Sequence, residues 1–273
     1  MRIQAPVRIA GRMTLTDVDG FIGRASSSES ELRVVITVQA ASRVPARQVT
    51  KQAYEAGMDF EQARFNMVEQ QIRTWDVLDQ DVLDLLFVVR REDFVPLAYR
   101  ALAFADLEIP IGDGERMWTP KMEARVLQEL DLKANEAVLE IGTGSGYLTA
   151  LLAHRSAEVT SVDSRERFVH EARLKLKRAG IGNVTLKVGD GARGWGSEQY
   201  EAIVLTGSTP VLDQAWLRQL KPGGRIFAVV GDAPAMSARM VRWEAPDAIV
   251  TEDLFETVIA PLQNAAQPER FVF

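Results

Sequence analysis

Gly142, Gly144 and Gly146 stand one residue apart between the run VLEI and the run YLTALLA. A strand that ends in such a loop and reopens as a helix lets the backbone turn sharply. It also lets a ligand approach with no Cβ in the way. Thr143 and Ser145 fill the gaps of this G-T-G-S-G loop, and Glu140 precedes it. Two more carboxylates follow at matching places: Asp163 closes SVD, and Asp190 stands beside Gly191 in VGDG. An acid at the end of the second strand can accept hydrogen bonds from ribose hydroxyls, and one at the end of the third lies where an adenine edge would fall. The spacing therefore describes a pocket for a nucleoside-containing ligand.

The variety of nucleoside is narrowed by what surrounds the loop. A triphosphate-binding loop would end in Gly-Lys followed by Ser or Thr, which this one does not. The dinucleotide fingerprint G-x-G-x-x-G has its third glycine one residue later. Asp163 suits NAD as well as any other ribose, so it does not discriminate alone. Glu140 does, because an acid before the loop favours a ligand with positive charge. S-adenosylmethionine carries such charge at its sulfonium and amino groups. Glu140, the compact loop, Asp163 and Asp190 together favour that cofactor.

Strands and helices must alternate to put these groups at one rim. EAVLEIG reads as a buried strand, YLTALLAHR as a helix, EVTSVD as a strand, and ERFVHEARLKLKRAG as a helix that Gly180 can close. NVTLKVGD and YEAIVLTG read as strands, VLDQAWLRQLKPGG as a helix stopped by Pro-Gly-Gly, and RIFAVVG as a strand. Near-continuous apolar strands between helices mean a mostly parallel sheet covered on both faces, an α/β doubly wound fold. ARMVRWE and AIVTEDLFETVIAPL read as two strands joined at APD, an antiparallel pair at one edge. Upstream, Phe65, Val68, Ile72 and Trp75 share a helical face. Asp79 is a candidate N-cap for a helix burying Val82, Leu83, Leu85 and Leu86. The stretch IPIGDGERMWTP is a loop, and KMEARVLQELDL a helix turning Met122, Val126, Leu127 and Leu130 inward.

Composition removes several kinds of chemistry. The 273 residues include no cysteine, which excludes disulfides, thiolate nucleophiles and cysteine-bound zinc. The two histidines, His154 and His170, lie among charged neighbours in helical segments and are expected on solvated faces, so no metal site is expected. Trp195 and Trp216 are expected to pack rather than to act. The net charge of −6, with no Lys/Arg-rich block, argues against nucleic acid. No apolar run approaches the roughly 18 to 20 residues that cross a bilayer, and the chain is expected to be soluble, cytoplasmic and free of membrane. Oligomeric state is not legible.

Residues 1–57 differ from the rest, with eight Lys/Arg and five Asp/Glu against 24 and 33 beyond them. They include ASSSES and show no sustained period. They are expected to be a disordered extension or a stretch upstream of the true start, with the folded domain beginning near Met58. Within 58–273, residues 58–120 would supply helices and a substrate loop, and 121–273 the cofactor sheet and edge strands.

The stretches VLEIGTGSGYLTALLA, NVTLKVGDGARGW, AIVLTGS and LKPGGRIFAVVG, preceded by MVEQQI, VLDLLFVVRREDFVP and ADLEIPIGDGERM, resemble the protein-L-isoaspartate O-methyltransferase family over about residues 60–231. The resemblance implies a seven-stranded Rossmann-like sheet modified at its C-terminal edge. It also implies methyl transfer from S-adenosylmethionine to the α-carboxyl of L-isoaspartyl residues in damaged proteins and peptides.

One position departs from the family's pattern. The family usually reads Gly-Gln/His-Thr-Ile-Ser-x-Pro in the substrate loop, where this chain has GERMWTP. Gly114 and Pro120 match, but the family's serine falls on Trp118. Thr119, one residue along, is the candidate to supply the hydroxyl instead. Trp118 either covers the methyl-transfer pocket or anchors the loop. Arg116 and Lys121 are candidates to grip a substrate carboxylate. Two alternatives follow: a methyltransferase of the same scaffold with another, small-molecule acceptor, and a non-catalytic protein that binds the cofactor.

Overall fold

The structure, a computed structural model, describes residues 59–245 and 248–268 together with three short strands nearer the N-terminus. The chain divides into two compact units, Met1–Ala63 and Arg64–Phe273. In the first, β1 (Thr14–Leu15), β2 (Phe21–Arg24) and β3 (Ile36–Val38) pair antiparallel, with Thr14 opposite Arg24 and Phe21 opposite Val38. No element was expected there. The rest of residues 1–57, and with it the expected lack of structure, lies outside the described residues.

The helix α1 (Phe60–Met67) runs into a π-helical turn, Val68–Ile72, and a 3₁₀ turn, Arg73–Trp75. The wider turn rotates the face expected from a regular period. Val68 and Ile72 are buried as expected, whereas Phe65 and Trp75 are exposed, and Met67 takes an inward place. Asp79 caps α2 (Gln80–Val88), its carboxylate accepting from the amides of Asp81 and Val82. Val82, Leu83, Leu85 and Leu86 are all buried. The expected loop before Pro120 is a hairpin of β4 (Ile109–Gly112) and β5 (Glu115–Met117). The next helix, α3 (Pro120–Leu130), buries the four expected residues and also Glu123.

Alternation then proceeds as the pattern requires: β6 (Ala137–Ile141), α4 (Tyr147–Arg155), β7 (Glu158–Asp163), α5 (Glu166–Arg178), β8 (Val184–Val188) and β9 (Tyr200–Leu205). After these come α6 (Gln214–Arg218), β10 (Leu220–Asp232), β11 (Ala235–Ala245) and β12 (Ala248–Glu256). The seven-stranded sheet has the order β12-β11-β10-β9-β6-β7-β8, parallel from β10 to β8 and antiparallel at β11 and β12. The crossovers through α4 and α5 step one way from β6, and the one through α6 steps the other way. Right-handed connections therefore place them on opposite faces.

Two boundaries differ from expectation. The helix α6 is short because Pro222, Gly223 and Gly224 cannot prolong it. The strand β10 absorbs them as an irregularity between Leu220, paired with Tyr200, and Arg225, paired with Ala202. The strand β12 stops at Glu256, and the chain turns back so that Ser208, just past β9, donates its amide to Ala260 and accepts from that of Leu262.

Strand parity divides the core. Leu139 and Ile141 join Ile203, Leu205, Ile226 and the fully buried Trp216 of α6, with Trp195 packed at the margin. Each such side chain contributes about 1.5–3 kcal/mol on burial. Glu140 has the opposite parity and faces α4, where Thr149 meets it. His154 and His170 are exposed, as expected.

Candidate active site

The strand order reverses at β6, between β7 and β9, and the glycine loop leaves β6 at that crevice. The amide of Gly142 donates to Val162 O at 2.7 Å. Thr206, just past β9, places Oγ1 within 2.8 and 2.9 Å of the carbonyl oxygens of Ile141 and Gly142. Gly142 has φ +101°, and a Cβ on it would lie 1.9 Å from Thr206 Oγ1. Gly146, at φ +82°, begins α4, and its Cβ would stand 2.9 Å from that of Ala172. Neither position admits a side chain. The requirement for glycine is set by the neighbouring strand and helix.

A cavity of about 480 Å³ opens over the carboxyl ends of β6, β7, β8 and β9, within the range of small-molecule sites. Thr143, Gly144 and Ser145 form one side of it, and Ile141, Asp163, Asp190 and Gly191 also line it. Asp163 is held by two backbone amides, those of Gly144 and Arg165, each at 2.9 Å. Asp190 accepts from the amide of Ala192 at 3.0 Å and from the Asn264 side chain at 2.8 Å. The opposite wall is the β4–β5 hairpin with Arg116 and Trp118, and residues 258–263 pass over the rim.

Two of the expected cofactor residues stand off this wall. Gly146 serves the loop as the entry to α4. Glu140 is fully buried beneath the loop, because parity turns it to the α4 face. Its carboxylate accepts from Ser161 at 2.6 Å and from Thr149. Burial pushes its pKa up to about 8 against the help of those two hydroxyls, and Asp163 adds to the rise. Glu140 therefore makes no direct contact with the cavity.

On the acceptor side the candidates separate. Trp118 is 8% exposed, lines the cavity, and meets Phe227 of β10 edge-to-face at 6.3 Å between ring centroids. It is a wall and an anchor at once. Arg116 also lines the cavity and, among the described residues, has no carboxylate within 4.0 Å. Nearby Glu108 has its pKa raised by burial, with Arg116 opposing the rise. Thr119 is corrected: its hydroxyl caps α3 by accepting from Met122 N at 3.4 Å, and it does not line the cavity. Lys121 is corrected too. Its ammonium pairs with Asp106 at 2.8 Å and sits 3.8 Å over the Trp75 ring, also off the cavity wall.

Other residues were not anticipated. Arg91 is buried, pairs with Glu123, donates to Ala103 O at 2.8 Å and Trp118 O at 2.6 Å, and lies 5.2 Å over the Tyr147 ring. Burial lowers its pKa to about 10. It thus joins the loop of Trp118 to the first turn of α4. Arg165 pairs with Glu115 at 2.5 Å, and Arg167 donates to Ile111 O at 2.6 Å, which fastens the hairpin to the segment after Asp163. The signal was present in RRED, where charges interrupt an apolar helical run, and in the inward spacing of Glu123. The rim segment left none, since it reads as a continuing strand.

A profile of the protein-L-isoaspartate(D-aspartate) O-methyltransferase family matches residues 62–267. The chain belongs to that family. A protein-L-isoaspartate O-methyltransferase of Rhodopseudomonas palustris is 39% identical over 206 residues, covering 74% of this chain and 84% of the relative. One of Petrotoga mobilis is 38% identical over 176 residues, covering 64% and 83%. A Plasmodium falciparum chain described as a protein-L-isoaspartate O-methyltransferase, crystallised with S-adenosyl-L-homocysteine, superposes with a TM-score of 0.63 at 19% identity, covering 72% of this chain and 97% of its own. That likeness supports the sheet described above, antiparallel edge included. The glycine loop, the hairpin and the rim segment all fall inside the family match.

Proposed function

We propose that this chain transfers a methyl group from S-adenosylmethionine to the α-carboxyl of L-isoaspartyl residues in damaged proteins and peptides. One observation carries the reading: one cavity joins the glycine loop and its two carboxylates to a hairpin that presents the Arg116 guanidinium. The cradle fits the cofactor. Gly144, at φ +48°, and Gly191 line the cavity without a side chain, and Asp163 and Asp190 line it as acceptors for sugar and base. The bound cofactor supplies an electrophilic methyl on a sulfonium.

Asp163, fixed by two amides, keeps lone pairs for the ribose hydroxyls. Asp190 offers an acceptor at the base end. The acceptor carboxylate is already ionised at neutral pH and needs no general base. The protein has to orient it and keep water away. Arg116 holds the carboxylate by charge-assisted hydrogen bonds, Trp118 forms the apolar wall beside it, and the rim segment at 258–263 shields the rim. The net charge of −6 supports a peptide acceptor over nucleic acid. Among the described residues no helix is long and apolar enough to cross a membrane, in keeping with a cytoplasmic enzyme. The working domain is taken to begin near Met58, and limited proteolysis should leave a fragment starting after about residue 45.

Radiolabelled methyl transfer to an isoaspartyl peptide, with its aspartyl isomer as control, tests the reading. Base-labile label on the isoaspartyl peptide alone is expected, and cofactor binding without transfer would refute it. Trp118 favours a second reading, the same reaction on a smaller carboxylic acid, because an indole narrows the wall where a small hydroxyl residue is usual. A screen of small acids with the same labelled donor separates the two.

A further inference from the structure

Beneath the glycine loop, hydroxyls and a carboxylate form a directed chain. Glu140 Oε2 accepts from Thr149 Oγ1 and Ser161 Oγ, and Ser161 Oγ lies 2.6 Å from Thr143 Oγ1. Glu140, Thr149 and Ser161 have no solvent exposure, while Thr143 lines the cavity. Among the described residues Glu140 Oε1 has no partner. The groups facing Glu140 are Ser161 opposite it on β7, Val204 opposite it on β9, and Thr149 on α4. The charge acting on it is that of Asp163, farther along β7.

Each hydroxyl has one proton, which fixes the direction of the chain. When Glu140 is ionised, Thr149 and Ser161 both donate to it. The Ser161 proton is then spent, so Thr143 must donate to Ser161 and turn its lone pairs toward the cavity. When Glu140 carries a proton on Oε2, it can donate to Ser161. Ser161 then donates to Thr143, whose own proton is released toward the cavity. The cavity wall thus changes from acceptor to donor without movement of any heavy atom.

We propose that Glu140 is a positioning residue whose charge state, passed through Ser161, sets the hydrogen-bond polarity of Thr143 and with it the preference of the pocket for the sulfonium donor over its neutral thioether product. This rests on the cofactor reading above. An ionised Glu140 favours the cationic ligand both through the wall polarity and through its own charge. Its carboxyl is protonated in the free protein below about pH 8. Binding of the sulfonium ligand just below that pH expels a fraction of a proton, and binding of the thioether expels less. Preference for the donor rises with pH toward 8 and is level above it. The device lets the product leave a pocket built to hold its precursor.

Isothermal titration of the full chain with S-adenosylmethionine and S-adenosylhomocysteine, in buffers of different ionisation enthalpy, reads both affinity and proton release. In the wild type the ratio of the two Kd values is expected to change about fivefold in favour of the donor between acidic pH and pH above 8, a modest figure for a unit charge turned on behind the loop. The Glu140→Gln variant should show a flat ratio and no extra proton. The Ser161→Ala variant should lose part of the ratio change and, by linkage, the matching part of the proton release, since the charge remains and the relay is cut. A wild-type pH slope in Glu140→Gln overturns the inference and leaves the cofactor reading standing. A wild-type ratio in Ser161→Ala overturns the relay. Failure of wild type to bind either ligand overturns the cofactor reading itself.

Discussion

Replacing Trp118 by serine removes the indole from the hairpin side of the cavity. The backbone should stay in place, because Arg91 holds Trp118 O at 2.6 Å whatever the side chain. Removing a buried tryptophan or phenylalanine from a core costs about 3–5 kcal/mol. Here one side of the indole faces the cavity, so water can fill the space, and the expected loss is about 2–3 kcal/mol. At about 2–4 °C per kcal/mol for a domain of this size, the melting temperature should fall by about 5–10 °C. On the proposed reading the cofactor is held by Asp163 and Asp190 and not by the indole, so Kd for the cofactor should change less than about twofold. The acceptor loses its wall, and kcat/KM for an isoaspartyl peptide should fall about tenfold to a hundredfold, the scale of an ångström-sized misplacement. Scanning calorimetry, cofactor titration and labelled transfer supply the three readings. Equal losses in cofactor affinity and kcat/KM would refute the assignment of Trp118 to the acceptor side. A gain of isoaspartyl activity from an inactive parent would show that the natural acceptor is another carboxylate.

Stability should also carry a signature of Glu140. Its pKa is about 8 in the folded chain against 4.5 unfolded, so the folded state keeps a proton that the unfolded state releases. Wild type therefore loses stability as pH rises from about 4.5 to about 8 and levels off above, by no more than about 5 kcal/mol. Denaturant unfolding of Glu140→Gln should lack that decline, and a parallel decline in the variant would assign it to other groups. Gly142→Ala places a Cβ on Thr206 Oγ1 at a positive φ and should cost about 3 kcal/mol, with cofactor affinity reduced at least about tenfold. Unchanged affinity would show that the loop adapts. Asn264→Gly keeps the left-handed backbone at φ +60° but removes the bond to Asp190. Stability should change by less than about 1 kcal/mol while cofactor dissociation accelerates; an unchanged off-rate would deny that the rim segment retains the ligand.

The cofactor half of the site was legible because its chemistry is local. G-T-G-S-G, SVD and VGDG each lie at a strand end, and period and parity carry them to one rim. The same parity, applied to VLEI, places Glu140 on the face opposite Leu139 and Ile141, so its displacement from the wall follows from the sequence once the strand is accepted. The face of Phe65 and Trp75 was misplaced because a π turn changes the period within the helix. Thr119 and Lys121 stand off the cavity wall for another reason. A threonine before Pro120 is equally the N-cap of a helix, and the lysine just after Pro120 meets partners, Asp106 and Trp75, that only the tertiary structure brings near. The chain beyond Glu256 reads as a strand until Ser208 takes up its backbone bonds.

The two halves of the cavity are held by different forces. The loop of Gly142 and the carboxylate of Asp163 are fixed by backbone hydrogen bonds to neighbouring strands, so their geometry follows from the sheet. The hairpin and Trp118 belong to no strand of that sheet. They are held by guanidinium groups, Arg91 from below and Arg165 and Arg167 from the side. The buried pair of Arg91 with Glu123 is shielded from salt, and breaking it by removing one partner would cost about 3–5 kcal/mol. The pair of Arg165 with Glu115 is part-exposed, contributes about 1 kcal/mol or less, and weakens with ionic strength. The acceptor wall is therefore rigid at its base near Trp118 and yielding at its tip near Glu115. Such an arrangement suits an enzyme whose small substrate must fit one shape while its protein substrate does not. The cofactor side needs fixed donors and acceptors, and the hairpin tip is held by the part-exposed pair of Arg165 with Glu115 and by the Arg167 bond to Ile111 O. A substitution such as Trp118 can then alter the acceptor wall without disturbing the strand-end geometry that recognises the cofactor.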